Sequence, residues 1–256
     1  NNIGDAWQLA FASDRQAAFG GIVGFNRTVE DQLAETILAS KLFLEIIIAP
    51  DFSAGAKKIL SVRDNLRLLS LDPFPTSYPP EKLWRSVLGG VLLQDNDQQS
   101  ISPATCRVVS RLTPTDQEWN DMLFAMAVAK QMRSNAIVIA AGGATLGLGG
   151  GATSRVVAAQ KALKDYQQKC AMEDNNSPLQ PSLRANAVVA SDGFFPFTDS
   201  IELFARGMTK PSTAKGGGRI TAIIEPGGAL KDKEVIAAAD RHGLKLVFSG
   251  YRHFHH

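Results

Sequence analysis

The stretch ASDGFFPFTD, residues 190–199, sets three phenylalanines around one proline and brackets them with Asp192 and Asp199. Proline cannot donate to a β-ladder, so the segment is not a central strand. Three large aromatics are also too many for an ordinary solvated loop. A helical pattern follows, then the run Ile220 to Ile224, then Glu225-Pro226. A weaker copy of this order lies earlier. Ala12-Ser13-Asp14 precedes an aromatic–glycine passage, a helix and the run Ile46-Ile47-Ile48, ending at Pro50. Asp14 to Pro50 spans 36 residues and Asp192 to Pro226 spans 34. In both places an Ala/Lys-rich helix comes next, then LRLLSL or LKLVFS. The reading is an α/β chain of two related halves, 1–112 and 113–256, meeting near Leu112.

The pattern around these anchors supports the class. Helices are expected over 30–43, 54–60, from Thr115 onward, over 153–170 and over 232–242. Thr115 and Glu118 make a capping box. Strands are expected over 46–48, 66–69, 136–140, 220–224 and 245–248. Residues 173–183 read as a loop and 209–218 as a surface insertion rich in glycine and lysine. The repeat leaves a gap, because in the second half a helix, a strand and a glycine loop precede Ser191. The first half has only 11 residues before Ala12. A strand and loop are therefore expected to be missing between Trp7 and Ala12.

Composition narrows the function classes. The 256 residues are 45% apolar, with 27 basic and 25 acidic side chains and a net charge of +2. That balance gives no electrostatic case for nucleic acid or a membrane surface. No apolar run reaches the length of a membrane span, and Asn1-Asn2-Ile3 opens no signal peptide. Cys106 and Cys170 form neither a disulfide framework nor a metal spacing. The expected setting is cytoplasmic and the expected metal content is none.

Four local signals bear on chemistry. Gly147-Leu148-Gly149-Gly150-Gly151-Ala152 loosely matches a dinucleotide loop, but the acidic residue that should follow is absent, so close backbone approach is the favoured reading. Arg155, after Ser154, stands at a helix start as a possible anion anchor. Asn135 precedes a buried strand, either as a structural link or as an amide that donates and accepts at once. Arg252 and Phe254 follow the last strand, where open α/β sheets bind ligands. A frayed tail is the plainer alternative.

Taken together, ASDGFFPFTD, the block from AIIEPGG to RHFHH, RSNAIVIA, GATSRV and AAFGGIVGFNR resemble the transformylase domain of the AICAR transformylase/IMP cyclohydrolase family. The resemblance runs along most of the chain. It implies two cytidine-deaminase-like, three-layer subdomains and a homodimer. It implies formyl transfer from 10-formyltetrahydrofolate to the 5-amino group of AICAR in purine biosynthesis, with no counterpart of the cyclohydrolase domain. It implies Asn135 as the amide orienting the reacting groups. Gly20, Gly21, Glu30, Phe194, Arg252 and Phe254 would contact AICAR. Ser154, Arg155, Phe195, Pro196, Phe197 and Asp199 would contact the folate, with FFPF as a wall between two flat ligands.

The sequence departs from the family in places. The Lys-His-x-Asn-Pro-Cys-Gly and Arg-Tyr-Gly-x-Asn-Pro-His-Gln motifs are absent from these residues. Ala141 stands for a usual lysine, Ala152 for a glutamine, Thr198 for an arginine and Glu30 for an aspartate. The alternatives are a relative that formylates another amine and a ligand-binding homologue without turnover.

Overall fold

The computed structural model describes residues 2–71, 82–171, 177–180, 186–207 and 218–255. The loop expected over 173–183 falls outside them except for 177–180, and the insertion over 209–218 except for Gly218. The chain divides into two compact units, Asn1–Gln98 and Gln99–His256.

The first unit opens with helix α1, Ile3–Ser13, whose N-cap Asn2 accepts the Asp5 amide at 2.8 Å. Then come β1 (Gly21–Gly24), α2 (Asp31–Ala39), β2 (Leu44–Ala49), α3 (Ala54–Leu60) and β3 (Arg67–Ser70). The strands form a parallel sheet in the order β1-β2-β3. Parallel neighbours need a crossover, and α2 and α3 provide it. Their apolar stripes, Leu33, Ala34 and Ile37 on α2 and Ala56 and Leu60 on α3, share one core with Val23, Leu44, Ile47, Ala49 and Leu68. Trp7 of α1 joins that core and stacks on Phe11, ring centres 5.7 Å apart. A hairpin of β4 (Lys82–Val87) and β5 (Gly90–Asp95) completes the unit, turning at Gly89 with φ +83°.

The second unit holds β6 (Arg107–Val108), α4 (Asp116–Gln131), β7 (Ile137–Ala141), β8 (Ala144–Gly149), α5 (Arg155–Ala171), β9 (Asn186–Ser191), α6 (Asp199–Arg206), β10 (Arg219–Glu225), α7 (Asp232–Arg241) and β11 (Lys245–Phe248). Its sheet runs β6-β11-β10-β9-β7-β8. β9, β10 and β11 are parallel, while β6, β7 and β8 pair antiparallel to their neighbours. α4 buries Met122, Ala125, Met126 and Ala129 against Val138, Ala140, Val188, Ala190, Ala222, Ile224 and Val247. The capping box forms as expected, with Glu118 Oε2 accepting the Thr115 amide at 2.8 Å. Losing such a cap costs about 1 kcal/mol. Burial pushes the Glu118 carboxyl up, but Lys245 Nζ at 2.5 Å and the Thr115 contacts outweigh it and hold it below the usual range.

Both units therefore contain the same parallel β-α-β-α-β run. Pro50 and Pro226 follow its middle strand in each, and the ladders agree residue by residue. Ile22 pairs with Ile46 and Ile48 with Leu69. Correspondingly, Val188 pairs with Ala222 and Ile224 with Val247.

Three expectations change. The units divide at Gln98/Gln99 rather than Leu112, because β6 pairs with β11 and takes the preceding residues with it. The Ala-Ser-Asp triplets are not equivalent: Ala12-Ser13 ends a helix, whereas Ala190-Ser191 ends a strand. No strand is missing between Trp7 and Ala12, since Ile3–Ser13 is one uninterrupted helix. α1 precedes β1 as α5 precedes β9, so it is the counterpart of α5.

The glycine passage also differs from a loop. Gly147 and Gly149 lie within β8, and a Cβ on either would collide with the Ala162 or Ala158 carbonyl of α5. These glycines let α5 lie directly on the strand, which is close backbone approach and not a phosphate cradle.

Candidate functional site

The carboxyl ends of β9, β10 and β11 lie together in the second unit, and the start of β7 joins them because it runs antiparallel to β9. Ligands of open α/β sheets bind at such an edge. Asn135 stands there just before β7, after a cis Ser134–Asn135 peptide. Its Nδ2 donates to the Ala152 carbonyl at 3.0 Å and its Oδ1 accepts Arg155 Nη2 at 2.9 Å.

Arg155, the first residue of α5, is buried. Its Nη1 donates to Asp192 Oδ1 at 2.5 Å and to Ser191 Oγ at 2.8 Å. Ser134 Oγ donates to the other Asp192 oxygen at 2.6 Å. Each charge thus has its opposite and further hydrogen bonds, the condition for burying an ion pair. The guanidinium expected on the folate side is spent largely inside the protein. Ser154 Oγ accepts the Val157 amide at 3.4 Å and starts the helix.

The aromatic passage splits by side-chain direction. Phe195 is fully buried and packs on Phe204, ring centres 6.3 Å apart. Its side chain belongs to the core. Phe194 is half-buried and carries the Arg252 guanidinium 4.5 Å from its ring centre. Pro196 and Phe197 are exposed, with Lys231 Nζ 5.2 Å from the Phe197 ring. Asp199 is exposed in the first turn of α6, and its Oδ1 accepts the Ser200 amide at 2.8 Å.

The terminal residues are anchored rather than frayed. The His253 amide donates to the Asp192 carbonyl at 2.9 Å. The His255 amide donates to Ser134 Oγ at 3.0 Å, and the Ser134 amide to the His255 carbonyl at 2.8 Å. Phe254 approaches Gly193, where a Cβ would stand 2.7 Å from its ring. A cleft of about 420 Å³ opens beside Arg252, walled by Arg107, Phe248 and Pro226 to Gly228.

Glu225 ends β10 at the same edge. It is fully buried, and its Oε2 accepts the amides of Phe195 at 3.0 Å and Gly227 at 3.3 Å. Burial pushes its carboxyl up to about 7. The Asp232 charge pushes the same way, and the two amides and Arg155 oppose it.

The remaining expected residues belong to the first unit. Gly20, with φ +72°, and Gly21 enter β1, whereas Glu30 lies beyond the other end of that strand and is exposed at the start of α2. The sequence missed Asp192, Ser134 and Glu225. The only local signal was an acid directly after an apolar strand, at Ser191-Asp192 and Ile224-Glu225. Among the described residues no group of three or more His, Cys, Asp or Glu is placed to hold a metal, and no helix is long and apolar enough to cross a membrane.

A family model described as AICARFT/IMPCHase bienzyme matches residues 1–165. Similar proteins include the bifunctional purine biosynthesis protein PurH of Jannaschia sp. (strain CCS1), 42% identical over 260 residues. That alignment covers 100% of this chain and 45% of the relative. The protein of the same name from Leuconostoc citreum is 43% identical over 256 residues, covering 100% and 45%. The one from Bartonella tribocorum is 40% identical over 255 residues, covering 100% and 44%. The chain thus spans somewhat under half the length of these relatives. The Leuconostoc alignment, 256 residues long over the whole chain, also leaves no room for an extra strand between Trp7 and Ala12.

Proposed function

We propose that this chain, which belongs to the AICARFT/IMPCHase bienzyme family, carries formyl transfer from 10-formyltetrahydrofolate to the 5-amino group of AICAR, a step of purine biosynthesis. Transfer forms a bond between the amine nitrogen and the formyl carbon, breaks the bond from that carbon to the folate nitrogen, and moves a proton from the amine to the departing folate. The amine is a weak nucleophile, so alignment and charge placement are what a protein can add.

The observation that supports this reading is the gathering of Asn135, Phe194, Arg252 and Phe254 at one strand edge, beside a cleft of about 420 Å³. Arg252 offers a planar fork of donors for a carboxamide or phosphate, already oriented by the Phe194 ring. Phe194 and Phe197 offer faces for flat rings, and Asp199 an acceptor for a pterin. Asn135, fixed by Ala152 and Arg155, holds an amide beside them. Gly20, Gly21 and Glu30, which belong to the first unit, are AICAR contacts in the same proposal. Two cytidine-deaminase-like subdomains, a cytoplasmic homodimer and a folate co-substrate with no metal belong to the same proposal.

The test is calorimetric titration with AICAR and with a folate analogue, beside a turnover assay. Binding of both with turnover supports the proposal. A second reading, binding without turnover, is favoured by Ala141, a buried methyl at the end of β7 where the family usually carries lysine. Failure to bind either ligand would remove both readings.

A further inference from the structure

Two carboxyls are buried at the strand edge of the second unit, and they are held differently. Asp192 meets the Arg155 guanidinium and the Ser134 hydroxyl. Glu225 Oε2 meets two main-chain amides, and its Oε1 is buried with no hydrogen-bond partner among the described residues. A charged oxygen left so is costly, whereas a neutral carboxyl is tolerated there. The two amides belong to different segments, Phe195 to the aromatic passage and Gly227 to the turn after β10. The main chain brings in a third. The Ser249 amide donates to the Glu225 carbonyl at 2.8 Å and the Gly250 amide to the Pro226 carbonyl at 3.1 Å, two residues before Arg252. Phe194, the neighbour of Phe195, carries the Arg252 guanidinium. Gly227, with φ +71°, sits so close to Phe248 that a Cβ would stand 2.5 Å from its ring, and Phe248 carries the Arg107 guanidinium at 5.8 Å. Both guanidiniums that wall the cleft therefore rest on rings beside groups that Glu225 holds.

We propose that Glu225 is a positioning residue for this cleft, and that its proton controls the hold. Neutral, it gathers the aromatic passage and the glycine turn on one oxygen. Ionised, it must draw in water or a donor for Oε1, which loosens both segments, and it adds a negative charge beside the cleft. Both effects weaken the grip on an anionic ligand. The groups around the carboxyl set the range in which this happens. Burial opposes ionisation most. The two amides and Arg155, at the start of α5, favour it, and Asp232, at the start of α7, opposes it. The balance places the carboxyl at about 7. The ligand named in the second test, AICAR, rests on the function proposed above, whereas the hold on the two segments does not.

The first test needs no ligand. With the phenylalanine and glycine nitrogens isotopically labelled, the Phe195 and Gly227 amide resonances should move together with one midpoint near 7, and stay still in Glu225→Gln. Amides that do not move, or that move equally in the variant, overturn the proposal. If Glu225→Gln does not fold, the unaltered chain decides alone: a shared midpoint near 7 supports the proposal and one near the ordinary 4.5 overturns it. The second test is calorimetric titration with AICAR at about pH 6 and about pH 8.5, on either side of the carboxyl's range. The phosphate of AICAR titrates as well, so Glu225→Gln is the reference. The dissociation constant of the unaltered chain, divided by that of the variant, should be near one at the lower pH. It should rise to about ten at the higher, the effect of one pKa unit of coupling. A ratio that does not change with pH, as a purely structural role would give, overturns the proposal. Failure of AICAR to bind either chain at any pH, while the two amides titrate, removes the proposed function and supports the hold.

Discussion

The main-chain N–H of Phe195 donates to Glu225 Oε2 at 3.0 Å, so a fully buried carboxyl fixes the middle of the aromatic passage. The Gly227 amide shares that oxygen, which ties the passage to the turn after β10. Any change of charge on this carboxyl is felt both in the aromatic passage and in the turn that walls the cleft beside Arg252.

Stability should therefore fall as pH rises through neutrality. Burial first, then Asp232, lifts Glu225 from its ordinary 4.5 to about 7 in the folded chain. The folded state then binds a proton more readily than the unfolded one. The favourable contribution is complete below about pH 4.5 and is lost as pH rises through 7, on the order of 3 kcal/mol in all. Glu225→Gln keeps an acceptor and removes the titration. Urea melts at pH 5 and pH 8 should show equal stabilities at pH 5 and a more stable variant at pH 8. Parallel pH profiles would refute the assignment.

Asp192→Ala should be among the most damaging single changes in the second unit. It leaves Arg155 buried without its counter-charge and takes an acceptor from Ser134. Breaking one side of such a pair costs about 3–5 kcal/mol. Arg155→Ala should cost a similar amount, and the double variant well under the sum of the two. Denaturant midpoints of the four proteins decide it.

Arg252→Lys should weaken AICAR binding by about 1.5–3 kcal/mol, because lysine lacks the planar fork that stacks on Phe194. Thermal stability should barely move, since Arg252 is exposed. An unaltered dissociation constant would place AICAR elsewhere.

Gly149→Ala should destabilise by about 1–3 kcal/mol, since the added methyl must displace the α5 backbone at Ala158. Gly24→Ala is the control. Nothing lies within 4 Å of a Cβ there, so its effect should stay within about 0.5 kcal/mol. Thermal unfolding of both variants makes the comparison.

The sequence was most readable where local chemistry decides structure. Helix 54–60 and strand 245–248 fall where periodicity put them, and the Thr115–Glu118 cap forms. β8 was unreadable, because its glycines are chosen by the helix lying on them and not by strand propensity. β1 is four residues, two of them glycine. The repeat was real, but the Ala-Ser-Asp triplet was a poor anchor for it. Three residues carry no periodicity, whereas the strand-then-proline pattern at Pro50 and Pro226 does. In the site, Asn135, Phe194 and Arg252 fall at one strand edge. Phe195 is buried against Phe204, a partner that no periodicity in this irregular segment reveals. Asp192, Ser134 and Glu225 act through partners distant in sequence, which no local window reveals.

The shared β-α-β-α-β run also bears on how the chain finds its fold. While both halves are unfolded, a strand of one can be offered the slot of the other, with the same direction and register. Side-chain volume opposes the exchange. Ala222 lies in the core beneath α4, and Ile46, its counterpart, would bring three extra carbons into a space already filled by Met122, Ala125, Met126 and Ala129. The unequal sizes of matching residues thus act as a proofreading device against crossed assembly. Replacing Ala222 by isoleucine would erase the distinction at the moment it matters, during refolding at high protein concentration.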